Sequence, residues 1–135
     1  MTLENLFRIK QLKKELFDKN EFSGLVRAAT DRLVDSQVKS LSFASRFDLA
    51  YSAAHGLALA ALRVTGYRSG KRYLVFQCLI HSTDLSKTQI RIFSRCHEKR
   101  NLAEYEGHFE NDEQLLSELI VNTKLLLVFI EKIEV

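Results

Sequence analysis

From Phe43 to Leu62 the chain repeats apolar residues at the spacing of one helix face: Phe43, Phe47, Ala50, Tyr51, Ala54, Leu57, Ala58, Ala61 and Leu62. A helix with so long an apolar stripe must bury it against neighbours running alongside. The alanines in the stripe permit close approach of those neighbours. Gly66 follows the last periodic residue and suits a helix C-terminus. The rest of the chain agrees with a helical partner set. It has no proline and only five glycines in 135 residues, and sheets with tight turns draw more heavily on both. With 46% hydrophobic residues, residues 1–135 are expected to form one domain with a substantial core, of all-α class.

Leu3, Leu6, Ile9, Leu12 and Leu16 predict a first helix over Leu3 to Phe17. Phe22, Leu25, Val26, Ala29 and Leu33 predict a second that runs on to Val38. Tyr73 to Ile80 is apolar all round; a helix is expected because no other segment offers itself as a strand partner. Ser86 and Gln89 stand at the spacing of a capping box and start a helix from Lys87 to about Glu104. Gly107 ends that block. Asn111-Asp112-Glu113-Gln114 carries another N-cap signal, followed by a strongly apolar last helix, expected to be central, with Leu116, Leu119, Ile120, Thr123, Leu126, Leu127, Ile130 and Ile133. Long helices with short connections imply an antiparallel up-and-down bundle of four or five helices.

The helix from Lys87 holds the one stretch that breaks the apolar rule. Ile90 and Phe93 mark its buried face, and continuing that face reaches His97, Arg100, Asn101 and Glu104. Burying such groups unpaired is unfavourable by about 1–3 kcal/mol each. They must therefore meet partners, at an interface or in a site, or form a polar network of their own. Arg100 and Glu104 have ion-pair spacing. Lys87, Arg91, Arg95 and Lys99 give the same helix a basic side, which Arg68, Lys71 and Arg72 extend. That side is either a solvated face or a track for phosphates. His55, alone in the alanine-rich stripe, is expected to be a hydrogen-bonded structural residue.

The block His97-Glu98-Lys99-Arg100-Asn101-Leu102-Ala103-Glu104-Tyr105-Glu106-Gly107 resembles the signature of the HEPN (higher eukaryotes and prokaryotes nucleotide-binding) superfamily. The resemblance implies a small helical bundle, commonly dimeric, with the motif just before the final long helix. In catalytic members Arg and His from both subunits act on RNA without a metal. A guanidinium steadies the scissile phosphate and a near-neutral histidine moves the proton of the 2′-hydroxyl. This chain reads Arg-Asn-x-x-x-Tyr where the family has Arg-x4-His. Tyr105, with a pKa near 10, is a poor general base at neutral pH. His97 beside Arg100 is then the candidate catalytic pair, and Arg100, Asn101, Glu104 and Tyr105 are the candidate ligand or interface residues. Arg91, Arg95 and Lys99 are accessory cations. Two other registers exist. Arg91 and His97 have an allowed spacing but project about 120° apart on a helix, and His108 lies beyond Gly107.

The resemblance thus implies a module, non-catalytic in this variant, that binds a nucleotide, RNA phosphate or protein partner through the motif at a homodimer interface. A toxin–antitoxin, stress or defence setting and a nucleotidyltransferase-type protein partner belong to the same implication. A metal-independent endoribonuclease and a purely structural interaction protein are the alternatives. No metal-ligand spacing and no cofactor motif stand out, and the net charge of +3 permits an acidic partner without demanding one. Cys78 and Cys96 read as reduced core thiols. With no apolar run of membrane-spanning length and no signal-peptide pattern, the cytoplasm is the expected compartment.

Overall fold

The computed structural model describes residues 1–107 and 110–135 and is mostly helical. A short helix α1 (Leu3–Arg8) leads to a two-residue strand β1 (Lys13–Lys14). Helices α2 (Lys19–Asp35) and α3 (Phe43–Val64) follow, then strand β2 (Tyr67–Arg68) and the short helices α4 (Arg72–Gln77) and α5 (Leu79–Ser82). The long helices α6 (Lys87–Glu106) and α7 (Glu113–Glu131) complete the chain. His108, the alternative-register histidine, lies outside the described residues.

The alanine-rich stripe is the axis of the bundle. Ala50, Ala53, Ala54, Ala58, Ala60 and Ala61 are all buried, and α3 packs against α2 and α7 as well as α4, α5 and α6. The last helix was expected to be central. Instead α7 covers α3 with Leu115, Leu116, Leu119, Leu126 and Ile130 and leaves Val121, Leu125 and Val128 exposed. Small side chains on α3 let several helices approach it at once, which the larger side chains of α7 cannot do.

The helix ends follow their chemistry. Asp18, Ser42, Ser86 and Asp112 each accept a backbone N–H of the helix they precede, and Ser86 with Gln89 forms the full reciprocal box. Gly66 (φ 88°) and Gly107 (φ 80°) take the left-handed conformation after α3 and α6, where a side chain would be strained.

Two expectations are corrected. The first helix does not reach Phe17. It stops at Arg8, where Lys10 adopts φ 63°. The Gln11 N–H then bonds to the Leu6 carbonyl at 2.9 Å and the Lys10 N–H to that of Phe7 at 3.0 Å, the pattern of a Schellman end without its usual glycine. The freed segment pairs antiparallel with β2, Lys13 opposite Arg68 and Lys14 opposite Tyr67. A strand partner was present after all. The Tyr73–Ile80 segment is helical as expected but breaks at Cys78 into α4 and α5.

Cys78 and Cys96 are buried free thiols, and burial pushes them up to about 11 and about 12, so neither is a thiolate at neutral pH. No helix among the described residues is long and apolar enough to cross a membrane.

Candidate functional site

Helix α6 changes character at His97. Before it, Ile90, Phe93, Ser94 and Cys96 are buried; after it, Asn101, Leu102, Glu104, Tyr105 and Glu106 are exposed. His97 is half-buried at this boundary and both ring nitrogens are engaged. Nδ1 lies 2.7 Å from the Tyr51 hydroxyl oxygen, and Nε2 lies 3.0 Å from the Asn101 amide nitrogen. With the amide donating to Nε2, the neutral ring carries its proton on Nδ1 and donates it to Tyr51. Tyr51 is fully buried on α3, and the rings of Tyr51 and Tyr73 flank the imidazole at 6.1 and 5.6 Å between centroids.

Two guanidinium groups each pack on the Tyr51 ring. That of Arg100 is 5.0 Å from the ring centroid and that of Arg72 is 5.8 Å away, both within cation–π range. Arg100 also pairs with Glu104 at 3.2 Å, the helical pair its spacing predicted, and with Asp48 at 3.5 Å. The second contact falls short of a hydrogen bond, so the buried Arg100 Nε lacks one among the described residues. Both carboxylates are more than half exposed. Arg72 makes no ion pair among the described residues.

Burial first, and the nearby cations second, set the protonation states. Burial, then Arg100 and Arg72, push the His97 pKa below its ordinary value, with Glu98 opposing. Burial raises the Tyr51 phenol, against the pull of Arg72 and Arg100. At neutral pH the cluster therefore holds a neutral imidazole, a neutral phenol and two cations. His55 stands one turn beyond Tyr51 with its ring 5.9 Å from Phe76. It was expected to be hydrogen-bonded, yet its buried Nε2 has no such partner among the described residues. Burial first, then Arg72 and His97, lower its pKa to about 4.

Of the residues singled out in the sequence, His97, Arg100 and Asn101 come together. Glu104 reaches the cluster only through Arg100. Tyr105 does not belong to it: its side chain is 95% exposed on the last turn of α6, which extends past the core. Arg91 and Arg95 line a separate groove, and Lys99 turns toward Leu102, Ala103 and Glu106. The sequence reading missed Tyr51, Arg72, Tyr73 and Asp48 as members of the cluster. Tyr51 carried the one available signal, since a hydroxyl in an alanine-rich buried stripe needs a partner.

Chemically, the cluster can hold an oxyanion. Two forks of N–H donors share one aromatic platform, and the carboxylates facing Arg100 are solvated and easily exchanged. It is less suited to moving protons, because His97 Nε2 already accepts a hydrogen bond and titrates low. No three His, Cys, Asp or Glu side chains assemble into a metal site among the described residues. Comparison with protein-family models, with curated proteins and with solved structures gives no match.

Proposed function

We propose that this chain is a non-catalytic, HEPN-like up-and-down helical bundle that binds the phosphate of a nucleotide or RNA at the Tyr51 cluster. The observation that carries the reading is the packing of both Arg72 and Arg100 on the Tyr51 ring, with no buried carboxylate paired to either among the described residues. The resemblance of the His97–Gly107 block to the HEPN signature supports the same ligand class. The locked ring of His97 and the remoteness of Tyr105 support binding over cleavage. The module works as a homodimer through the motif face, where exposed Leu102 and Tyr105 offer contact surface. A nucleotidyltransferase-type partner and a toxin–antitoxin or stress setting fit this reading. The competing reading, a purely structural polar network, rests on the pairs of Arg100 with Asp48 and Glu104, and pairs this exposed contribute little to stability.

The test is titration of the protein with a fluorescent adenosine nucleotide at low and high salt, alongside RNA cleavage in EDTA. Binding should weaken with salt and with Arg100→Ala or Arg72→Ala, and cleavage should be absent. Equal binding by the native chain and the Arg72→Ala/Arg100→Ala double variant would sink the assignment. Light scattering should give twice the 15.6 kDa chain mass; a clean monomer at micromolar concentration would remove the dimer from it.

A further inference from the structure

Tyr73 belongs to two features at once. One edge of it faces His97, as described. The same side chain, 45% exposed, also lines a groove of about 520 Å³ between α4–α5 and α6. Ile80 and Gln77 share its wall. The opposite wall is basic: Lys87, Arg91 and Arg95 follow one another at intervals of four along α6, a rise of about 6 Å per step. Lys87 and Arg91 make no ion pair among the described residues. Among the described residues Arg95 has one ion pair, with Glu118 at 3.9 Å, and Glu98 is the single acid lining the groove. A hydrogen bond of 2.7 Å from Gln77 to Ser94 Oγ ties the two walls together.

A row of cations, two of them without an ion pair among the described residues, facing an exposed aromatic ring is an arrangement that can receive single-stranded nucleic acid. The cations follow the phosphates, and the ring offers a stacking face that any base can use. The volume lies in the range of roughly 300–1,000 Å³ typical of small-ligand sites, which suits an unstacked nucleotide and not a duplex. We infer that a single-stranded polynucleotide lies along the α4–α6 groove, with its phosphates on Lys87, Arg91 and Arg95 and one base on Tyr73, and that its strand continues to Arg72 and Arg100. The inference rests on the reading of the Tyr51 cluster as a phosphate site, and it names the ligand as a strand, not a mononucleotide. Tyr73 joins the two sites.

The experiment is fluorescence anisotropy at low salt with labelled oligouridylates of one, two, four and eight nucleotides, and with the matching deoxy-oligomers. Affinity should rise at least tenfold from one nucleotide to four and then level off. Arg91→Ala and Lys87→Ala should each weaken the four-mer severalfold and leave the mononucleotide unchanged; Tyr73→Ala should weaken the four-mer severalfold, and Tyr73→Phe should restore the stacking loss. Equal binding of RNA and DNA supports the groove as a reader of backbone and base faces; preference for RNA supports it with added 2′-hydroxyl contact. Affinity independent of length would overturn the groove while mononucleotide binding sensitive to Arg100→Ala left the Tyr51 reading standing. Length-dependent binding that ignores Arg100→Ala would keep the groove and remove its link to the cluster. Displacement of the four-mer by an equally charged oligoglutamate at the same concentration would overturn the nucleic-acid assignment in favour of an acidic peptide.

Discussion

Arg63 belongs to α3 and Arg100, on α6, packs on Tyr51 of α3, and they are used in opposite ways. Arg63 is 1% exposed and every arm of its guanidinium is met. Nε donates to Glu21 at 2.7 Å, Nη1 to the carbonyls of Glu15 and Tyr67 at 3.1 and 3.2 Å, and Nη2 to the carbonyl of Leu16 at 2.6 Å. Arg68 bonds the same two acids, Glu15 and Glu21, from β2. The Arg63 hydrogen bond comes first among the causes that hold the Glu21 carboxyl below its ordinary pKa. This network fixes the segment after α1 onto the end of α3. Arg100, at 23% exposure, has one donor unmet and shares only solvated acids. A saturated guanidinium holds the fold together, whereas Arg100 keeps a buried Nε without a hydrogen bond and pairs only with acids at the surface.

The comparison breaks most visibly at Arg63. Arg63→Ala takes the donor from three carbonyls and leaves Glu21 with Arg68 alone, and is expected to destabilise the protein by about 3 kcal/mol. The measurement is the urea unfolding midpoint, with nucleotide titration of whatever remains folded. Stability within 1 kcal/mol of native would mean that the network is not what holds the N-terminal segment, whereas intact nucleotide binding with reduced stability would sharpen the contrast with Arg100.

The next effect belongs to the other cluster and is read by pH. His55 is a base whose folded-state pKa, about 4, lies below its ordinary 6.5. The unfolded chain therefore takes up the proton first as pH falls. The stabilisation is complete above about pH 6.5 and is lost progressively between there and about 4, up to about 3 kcal/mol. His97, shifted the same way, adds to the slope. Protonated His55 would face Arg72 and His97 with no acceptor at Nε2. Urea midpoints from pH 7.5 to 4.5 should show the decline, and His55→Gln should flatten most of it. An unchanged acid limb in that variant would show that the imidazole is not held neutral.

How far each region was legible follows from where its contacts come from. Helix spans set by local chemistry were readable: the box of Ser86 with Gln89, Gly107, and the alanine stripe of α3. The end of α1 was not. Ile9 and Leu16 keep helical spacing yet are 53% and 92% exposed, because the chain turns at Lys10 to bury Leu12 and to offer its carbonyls to Arg63, 47 and 48 residues away. At the site, His97, Arg100 and Asn101 were visible because polar residues interrupted one helix face. Tyr51 stood 46 residues from His97 inside an apolar stripe, where periodicity reads it as core. Tyr105, given as a ligand or interface residue, stands apart from the cluster because the last turn of α6 exposes it at 95%.

Tyr51→Phe tests how firmly the second cluster is built. The ring and both cation–π contacts stay, and the hydroxyl that accepts from His97 Nδ1 and from Arg72 is lost. Leaving that half-buried donor unpaired should lower stability by about 1–2 kcal/mol. Loss of nucleotide binding should be small, since the aromatic platform is intact. A change within error in the urea midpoint would mean that water replaces the phenol, and that His97 is less enclosed than its neighbours imply.

The smallest effect on stability is expected at Arg100, and that smallness is the sharpest form of the comparison. The stripe projection along α6 puts Arg100 on the buried face and Arg91 off it, which ranks Arg100→Ala as much the more damaging substitution. The structure removes the reason for that ranking. The acids beside Arg100 return to water when it is truncated, the Tyr51 ring keeps Arg72, and the unmet Nε donor disappears with the side chain. Arg100→Ala should therefore lower stability by under about 1 kcal/mol, close to Arg91→Ala in the same urea experiment. Its mark should appear in binding, as a mononucleotide affinity at least tenfold weaker with a shallower salt dependence, one cation having been removed from the phosphate site. A stability loss as large as that of Arg63→Ala, with binding unchanged, would place Arg100 with Arg63 as a second structural arginine and leave the cluster without a ligand.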